Sequence, residues 1–310
     1  MYVRLSITER PTLGSKLWVD EPEQSAVRVA AISDPVEREM AETFVRDGFV
    51  IIRNAVSREL CDACIFDYDQ WVGSNIGPAE FRRNDRRNKR LQNFHLTSRS
   101  IAELFTASAP TLAAQDLLFG YRASVYTSLF FQYGTEQALH RDVPVFRTAP
   151  EDFYFGVWYA LEDAGAENGN LIVMRGGHRI MVDQYAIAER NVNDVDKISP
   201  TDYHLWDLYQ AEVKAEGLRM GLTIEEISMQ KGDALIWHPL LPHGGGPVRN
   251  PARTRHSVVF HTVPEGVPVY KADVFFNRKR AQESDESKSA YRIMSGRLIM
   301  ERGAPIFGGV

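Results

Sequence analysis

The sequence predicts a mainly β protein with flanking helices, built around a double-stranded β-helix of the jelly-roll, cupin-like kind. Three observations lead there. From Ala123 onward the chain breaks into short β-rich runs closed by Gly, Pro, Asn or Asp. Eight such runs can be counted, enough for a closed jelly-roll barrel. Helical spacing is confined to the chain before Ala123 and to one insertion at about 180–223.

Residues 1–32 carry Pro11 and Pro22 and no clear period, so they read as an N-terminal arm draped over the domain, with nothing catalytic in it. Ser33, Asp34 and Pro35 supply helix-start chemistry, and VEREMAETFVRD follows with helical spacing and stops at Gly48. Next come a β-branched strand, FVIIRNAV, and a helix, SRELCDACIFDYDQWV, holding the two cysteines of the chain, Cys61 and Cys64. Their spacing is shared by redox dithiols and zinc half-sites. In the body of a helix, with no second ligand pair in the pattern, they read as reduced, half-buried thiols.

The run FRRNDRRNKR at 81–90 holds six basic residues and one acid. It reads as a solvated loop, with a patch for an anionic substrate or partner as the alternative. The β runs are ASVYTSLFFQY, ALHRDVPVF, FYFGVWYALE and NLIVMR, then IEEISMQ, DALIWH, LLPHG and RHSVVFHTV after the insertion. That insertion contains the helical segment TDYHLWDLYQAEVKAEG. The domain so defined spans 33–266, and 267–310 reads as a tail packed on it. No internal repeat or low-complexity tract is present.

Composition narrows the function classes. With 44% hydrophobic and 25% charged residues among 310, the chain can bury one large core. A net charge of -5 provides no overall field for nucleic acid or an anionic membrane. The first twenty residues lack the apolar run of a signal peptide, and no stretch of 18 apolar residues occurs, which points to a cytoplasmic protein.

On a strand, residues i and i+2 share a face, so His140 and Asp142 in ALHRDVPVF would enter the barrel together while Arg141 faces away. One further histidine completes a two-histidine, one-carboxylate set, which occupies three corners of an iron(II) octahedron and leaves three open. The H-x-D pattern is weak alone, since about one H-x-[DE] is expected by chance in a chain of this composition. Its place near the start of the β region matters more, together with GDALIWHPLLPHGGGPV about a hundred residues later. His238 and His243 compete there for the third corner. His243 is preferred because Gly244, Gly245 and Gly246 let backbone approach a crowded site. A dicarboxylate co-substrate needs a cation, and arginine binds one with two parallel hydrogen bonds. Arg255, opening the last β run, is the candidate; Arg249 and Arg253 read as loop charges. His140-Arg141-Asp142 copies the start of a kinase catalytic loop, but Arg147 stands at its asparagine position and no D-F-G follows. No G-x-S-x-G elbow is present either.

With these residues identified, the sequence resembles the phytanoyl-CoA dioxygenase family over about residues 40–265. The blocks are DGFVIIRNAVS, FFQYGTEQALHRD, VWYALEDAGAENGNLIVMRGGHR, GDALIWHPLLPHGGGP and RHSVVFH, in that order. The resemblance implies iron(II) held by His140, Asp142 and His243, and 2-oxoglutarate held by Arg255, lined by Trp158 and more weakly by Gln137. It implies an enzyme that spends O2 and 2-oxoglutarate to hydroxylate a small molecule, releasing succinate and CO2. There are two departures: the family's Pro-Gly-Ser-His turn is Arg175-Gly176-Gly177-His178, and the hydroxyl residue two after the distal histidine is Gly245. Asp142 is present, whereas related halogenases have a small residue there. A cupin-like metal-dependent isomerase and a non-catalytic binding barrel are the alternatives. Arg83, Trp206 and Tyr209 read equally as surface, packing or substrate contacts.

Overall fold

The computed structural model describes residues 12–73, 89–199, 202–270, 275–277, 290–301 and 306–309. Helix α1 spans Pro22–Ala31 and α2 spans Pro35–Asp47. The Asp34 carboxylate accepts from the amides of Val36 and Glu37 at 2.8 and 3.0 Å, and Gly48 ends α2 at φ 80°. Strand β1 (Phe49–Ile52) follows, then α3 (Arg58–Gly73), β2 (Lys89–Gln92), α4 (Arg99–Ala107) and α5 (Ala109–Phe119). The β region holds β3 (Ala123–Phe131), β4 (Arg147–Thr148), β5 (Phe155–Ala160) and β6 (Leu171–Met174). The insertion supplies α6 (Gln184–Asn191) and α7 (Tyr203–Arg219). After it come β7 (Ile224–Ile227), β8 (Ala234–Trp237), β9 (His243–Gly245) and β10 (Ser257–Pro264). Short strands β11 (Val269–Tyr270), β12 (Ala290–Met294), β13 (Arg297–Glu301) and β14 (Ile306–Gly309) complete the described chain.

Nine strands form a large mixed sheet in the order β1-β8-β5-β10-β3-β13-β12, with β2 added on β3 and β14 on β2. A smaller sheet, β7-β6-β9, is separate. Side-chain alternation divides the core. On β5, Val157 and Tyr159 belong to the cluster that takes in α2 to α5, whereas Trp158 and Ala160 join Leu171 and Val173 of β6. On β10, Val258 and Phe260 face the helices and Val259 faces the smaller sheet. The site opens on that second face. Among the described residues no helix is long and apolar enough to cross a membrane.

The mainly β jelly-roll class holds, with four corrections of detail. The strands do not close into a barrel; two sheets face each other, since the smaller one has three strands, one of them only three residues long. ALHRDVPVF is not a strand: it keeps one bridge, His140 to His243, and then turns, the Asp142 carbonyl accepting from Val145 and Phe146. Pro144, which cannot donate to a ladder, sits in that turn. The arm contains a helix, α1, whose only buried residue is Ser25, which explains the missing period. Beyond 266, β12 and β13 extend the large sheet. The basic run lies outside the described residues except where 89–90 enter β2. Cys61 and Cys64 are free and wholly buried, and burial pushes the Cys61 thiol up to about 11 and that of Cys64 still further.

Candidate metal centre and its cavity

His140 and His243 are paired through their own backbones. His140 N donates to His243 O at 2.8 Å and His243 N to His140 O at 2.9 Å, so one bridge sets both imidazoles side by side, 4.7 Å apart. Each Nδ1 reaches the carbonyl two residues earlier, Ala138 O at 2.8 Å and Leu241 O at 2.9 Å. A carbonyl can only accept, so Nδ1 carries the proton in each ring and Nε2 is the atom turned to the cavity. Asp142 lies between them, its oxygens 3.5 Å from His140 Nε2 and 3.4 Å from His243 Nε2. The three ligating atoms all fall within 4.8 Å of one another, and all three residues are buried. Burial opposes the Asp142 charge, but the imidazoles around it, His243 foremost, hold its carboxyl well below the usual range. Two nitrogen lone pairs and a carboxylate turned on one point is a donor set that a divalent cation satisfies.

A fourth group joins them that the sequence did not single out. His261 of β10 donates from Nε2 to Asp142 Oδ2 at 3.1 Å, and its ring lies against Phe146 with centroids 3.9 Å apart. A register shift of β10 against β3 falls directly after His261. Gln137 reaches the same corner, its amide nitrogen 3.1 Å from His140 Nε2.

These groups border a cavity of about 800 Å³. Arg255 lines it too, buried, with its guanidinium carbon 5.5 Å from the centre of the Trp158 ring. Burial alone lowers its pKa to about 10, and its Nε has no hydrogen-bond partner among the described residues. The neighbours of Arg255 are held by Glu162, which accepts from Thr254 Oγ1 at 2.9 Å and from His256 N at 2.8 Å. Arg249 and Arg253 are exposed. The glycines beside His243 answer to contacts: a Cβ on Gly244 would lie 2.6 Å from Gln137 O, and one on Gly245 2.8 Å from Thr135 Oγ1. The corner where a side chain at 245 would stand is thus filled by the Thr135 hydroxyl.

His238 stands elsewhere, 3.1 Å from Asp20 of the arm. Arg141 does turn away from the cavity, but into the interior rather than to solvent. Its guanidinium donates to Gly177 O, Ile180 O and Tyr209 Oη at 2.8, 2.9 and 3.3 Å. Tyr209 is therefore a packing residue, whereas Trp206 lines the cavity with its ring 6.2 Å from that of His140. Arg83 lies outside the described residues.

Fold and donor set define a class, the jelly-roll proteins with a two-histidine, one-carboxylate site. The chain belongs to the phytanoyl-CoA dioxygenase (PhyH) family, whose model matches residues 44–257. It is 27% identical over 110 residues to the peroxisomal phytanoyl-CoA dioxygenase of Homo sapiens, and 28% over 110 residues to a probable phytanoyl-CoA dioxygenase of Caenorhabditis elegans. Each match covers 35% of this chain and only 28% and 30% of those proteins. In fold it is similar to the epimerase SnoN, crystallised with Fe3+, alpha ketoglutarate and nogalamycin RO (TM-score 0.57, 16% identity, 87% of this chain and 100% of that one). It is similar also to EctD from S. alaskensis (TM-score 0.54, 17% identity, 91% and 90%) and to the carbocyclase SnoK (TM-score 0.55, 13% identity, 82% and 93%).

Proposed function

We propose that this protein is an iron(II)- and 2-oxoglutarate-dependent dioxygenase that hydroxylates an unactivated C–H of a small-molecule metabolite in the cytoplasm, with release of succinate and CO2. The observation that carries the reading is the pairing, in one cavity, of the His140–Asp142–His243 donor set with Arg255, a buried cation with no acid against it among the described residues. A metal site alone fits an isomerase or an inert barrel; a desolvated guanidinium beside it asks for an anion.

In this reading His140 and His243 bind through Nε2 and Asp142 through a carboxylate oxygen. Arg255 orients the far carboxylate of 2-oxoglutarate, Trp158 walls that end, and Gln137 and Thr135 offer polar contacts nearer the metal. Iron(II) with 2-oxoglutarate and O2 supplies the oxidising chemistry that no side chain has. Trp206, Phe146 and Tyr126 line the remainder, where an organic substrate displaces water and is held in place. The epimerase and carbocyclase among the fold relatives show other outcomes on such a scaffold, so placement of the substrate, set by the insertion and by Phe276, decides the product. The catalytic unit is 33–266, completed by Phe276 in the cavity and by β12 and β13 on the large sheet.

The test is anaerobic addition of iron(II) and 2-oxoglutarate to metal-free protein. A visible charge-transfer band should form, be lost in Arg255→Ala, and give way to succinate when O2 is admitted. Iron binding without a band in the wild type would favour the isomerase or scaffold instead.

A further inference from the structure

The segment between the two sequence-adjacent donors has little sheet to hold it. After the single bridge at His140 the chain turns at Asp142, leaving the amide and carbonyl of Arg141 without a strand partner in the interior. Both are met by one side chain. Gln210 Oε1 accepts from Arg141 N at 2.8 Å, and Gln210 Nε2 donates to Arg141 O at 2.9 Å, the two bonds that a neighbouring strand would otherwise provide. Gln210 is buried in the third turn of α7. Its helical neighbours at i-7, i-4 and i-3 are Tyr203, Trp206 and Asp207, and all three line the cavity.

We propose that Gln210 is a positioning residue for the metal centre, fastening the backbone between His140 and Asp142 so that the helix walling the substrate cavity also sets the ligand geometry. This rests on the reading of those residues as metal ligands. An amide is needed because it alone among side chains of that length both donates and accepts in a plane. Arg141 adds a second tie to the insertion through Tyr209, one residue before Gln210. The helix that walls the cavity is by this account part of the metal site.

The experiment is titration of metal-free protein with cobalt(II) alone, read by calorimetry and by the visible ligand-field spectrum, for wild type, His243→Ala, Gln210→Met and Gln210→Glu. Wild type should bind one ion and His243→Ala should bind none at this site. Gln210→Met, of similar size but without hydrogen bonds, should bind about 10-fold or more weakly and with an altered spectrum, within the range expected when a group supporting a ligand is lost. Gln210→Glu, which can still accept from Arg141 N, should fall between. A merely structural role would lower the melting temperature while leaving the affinity and spectrum of the folded variants at wild-type values; that result overturns the proposal. If wild type and His243→Ala behave alike, the ligand assignment itself fails, and this proposal with it.

Discussion

Asp142 is a carboxylate with three imidazoles around it, and only two of them can be read as ligands from spacing. His261 is the third. Its hydrogen bond to Oδ2 fixes which way the carboxylate turns, and burial keeps the ring neutral against the opposing pull of Asp142. Replacing it by Phe preserves a ring against Phe146 but removes the donor. His261→Phe should weaken cobalt(II) binding by about 10- to 100-fold with little change in melting temperature, whereas His261→Asn should recover part of the loss. Equal affinities for both variants and wild type would remove His261 from the site. Nothing local in RHSVVFH marks this histidine, because its partner is 119 residues away in sequence. His140, Asp142 and His243 were legible because H-x-D and the glycine run beside His243 are local patterns, and the structure brings those three together.

At the scale of elements, Arg255 is only as well placed as the segment entering β10, and Glu162 at the end of β5 holds that segment. Burial alone would raise the Glu162 carboxyl, but the hydrogen bonds and charge of His256, with help from Thr254, bring it down to about 2 from an ordinary 4.5. A depressed carboxyl stabilises the fold above its unfolded value, so this contribution is complete above pH 4.5 and is lost as pH falls toward 2. Glu162→Gln should therefore flatten the decline of the denaturant midpoint over that window and lower it at pH 7. An unchanged pH profile would show that Glu162 is not linked to folding. Among the elements, α2, α3 and seven of the eight β runs were readable from capping, helical spacing and β-rich runs closed by turn residues. The eighth, ALHRDVPVF, misled because its alternation serves a metal-site turn rather than a sheet. The helix α1 gave no signal because it is exposed almost all round.

For the whole molecule, the large sheet reaches the donor set through His261, the smaller sheet through His243 and the α7 insertion through Gln210, so an ion bound there ties all three together. Anything bound by the native state alone raises stability by mass action, about 2.7 kcal/mol at a hundredfold excess over Kd. For a chain of this size that is about 4 °C in melting temperature. Cobalt(II) or nickel(II) should produce such a rise in wild type and none in Asp142→Ala; a rise in both would place the stabilising ion elsewhere. The sequence by itself determined the β class, the helices α2, α3 and α7, most of the strands, and four of the groups that meet in the cavity, His140, Asp142, His243 and Arg255. Each of these rests on short-range periodicity or on a residue type that few other chemistries require. Only the tertiary structure decided that the sheets do not close, that Thr135 stands where a side chain at 245 would be, and that His261 and Gln210 steady the donor set. Those contacts join residues far apart in the chain, each a common residue in an ordinary strand, loop or helix, and their identity follows from where the fold places them.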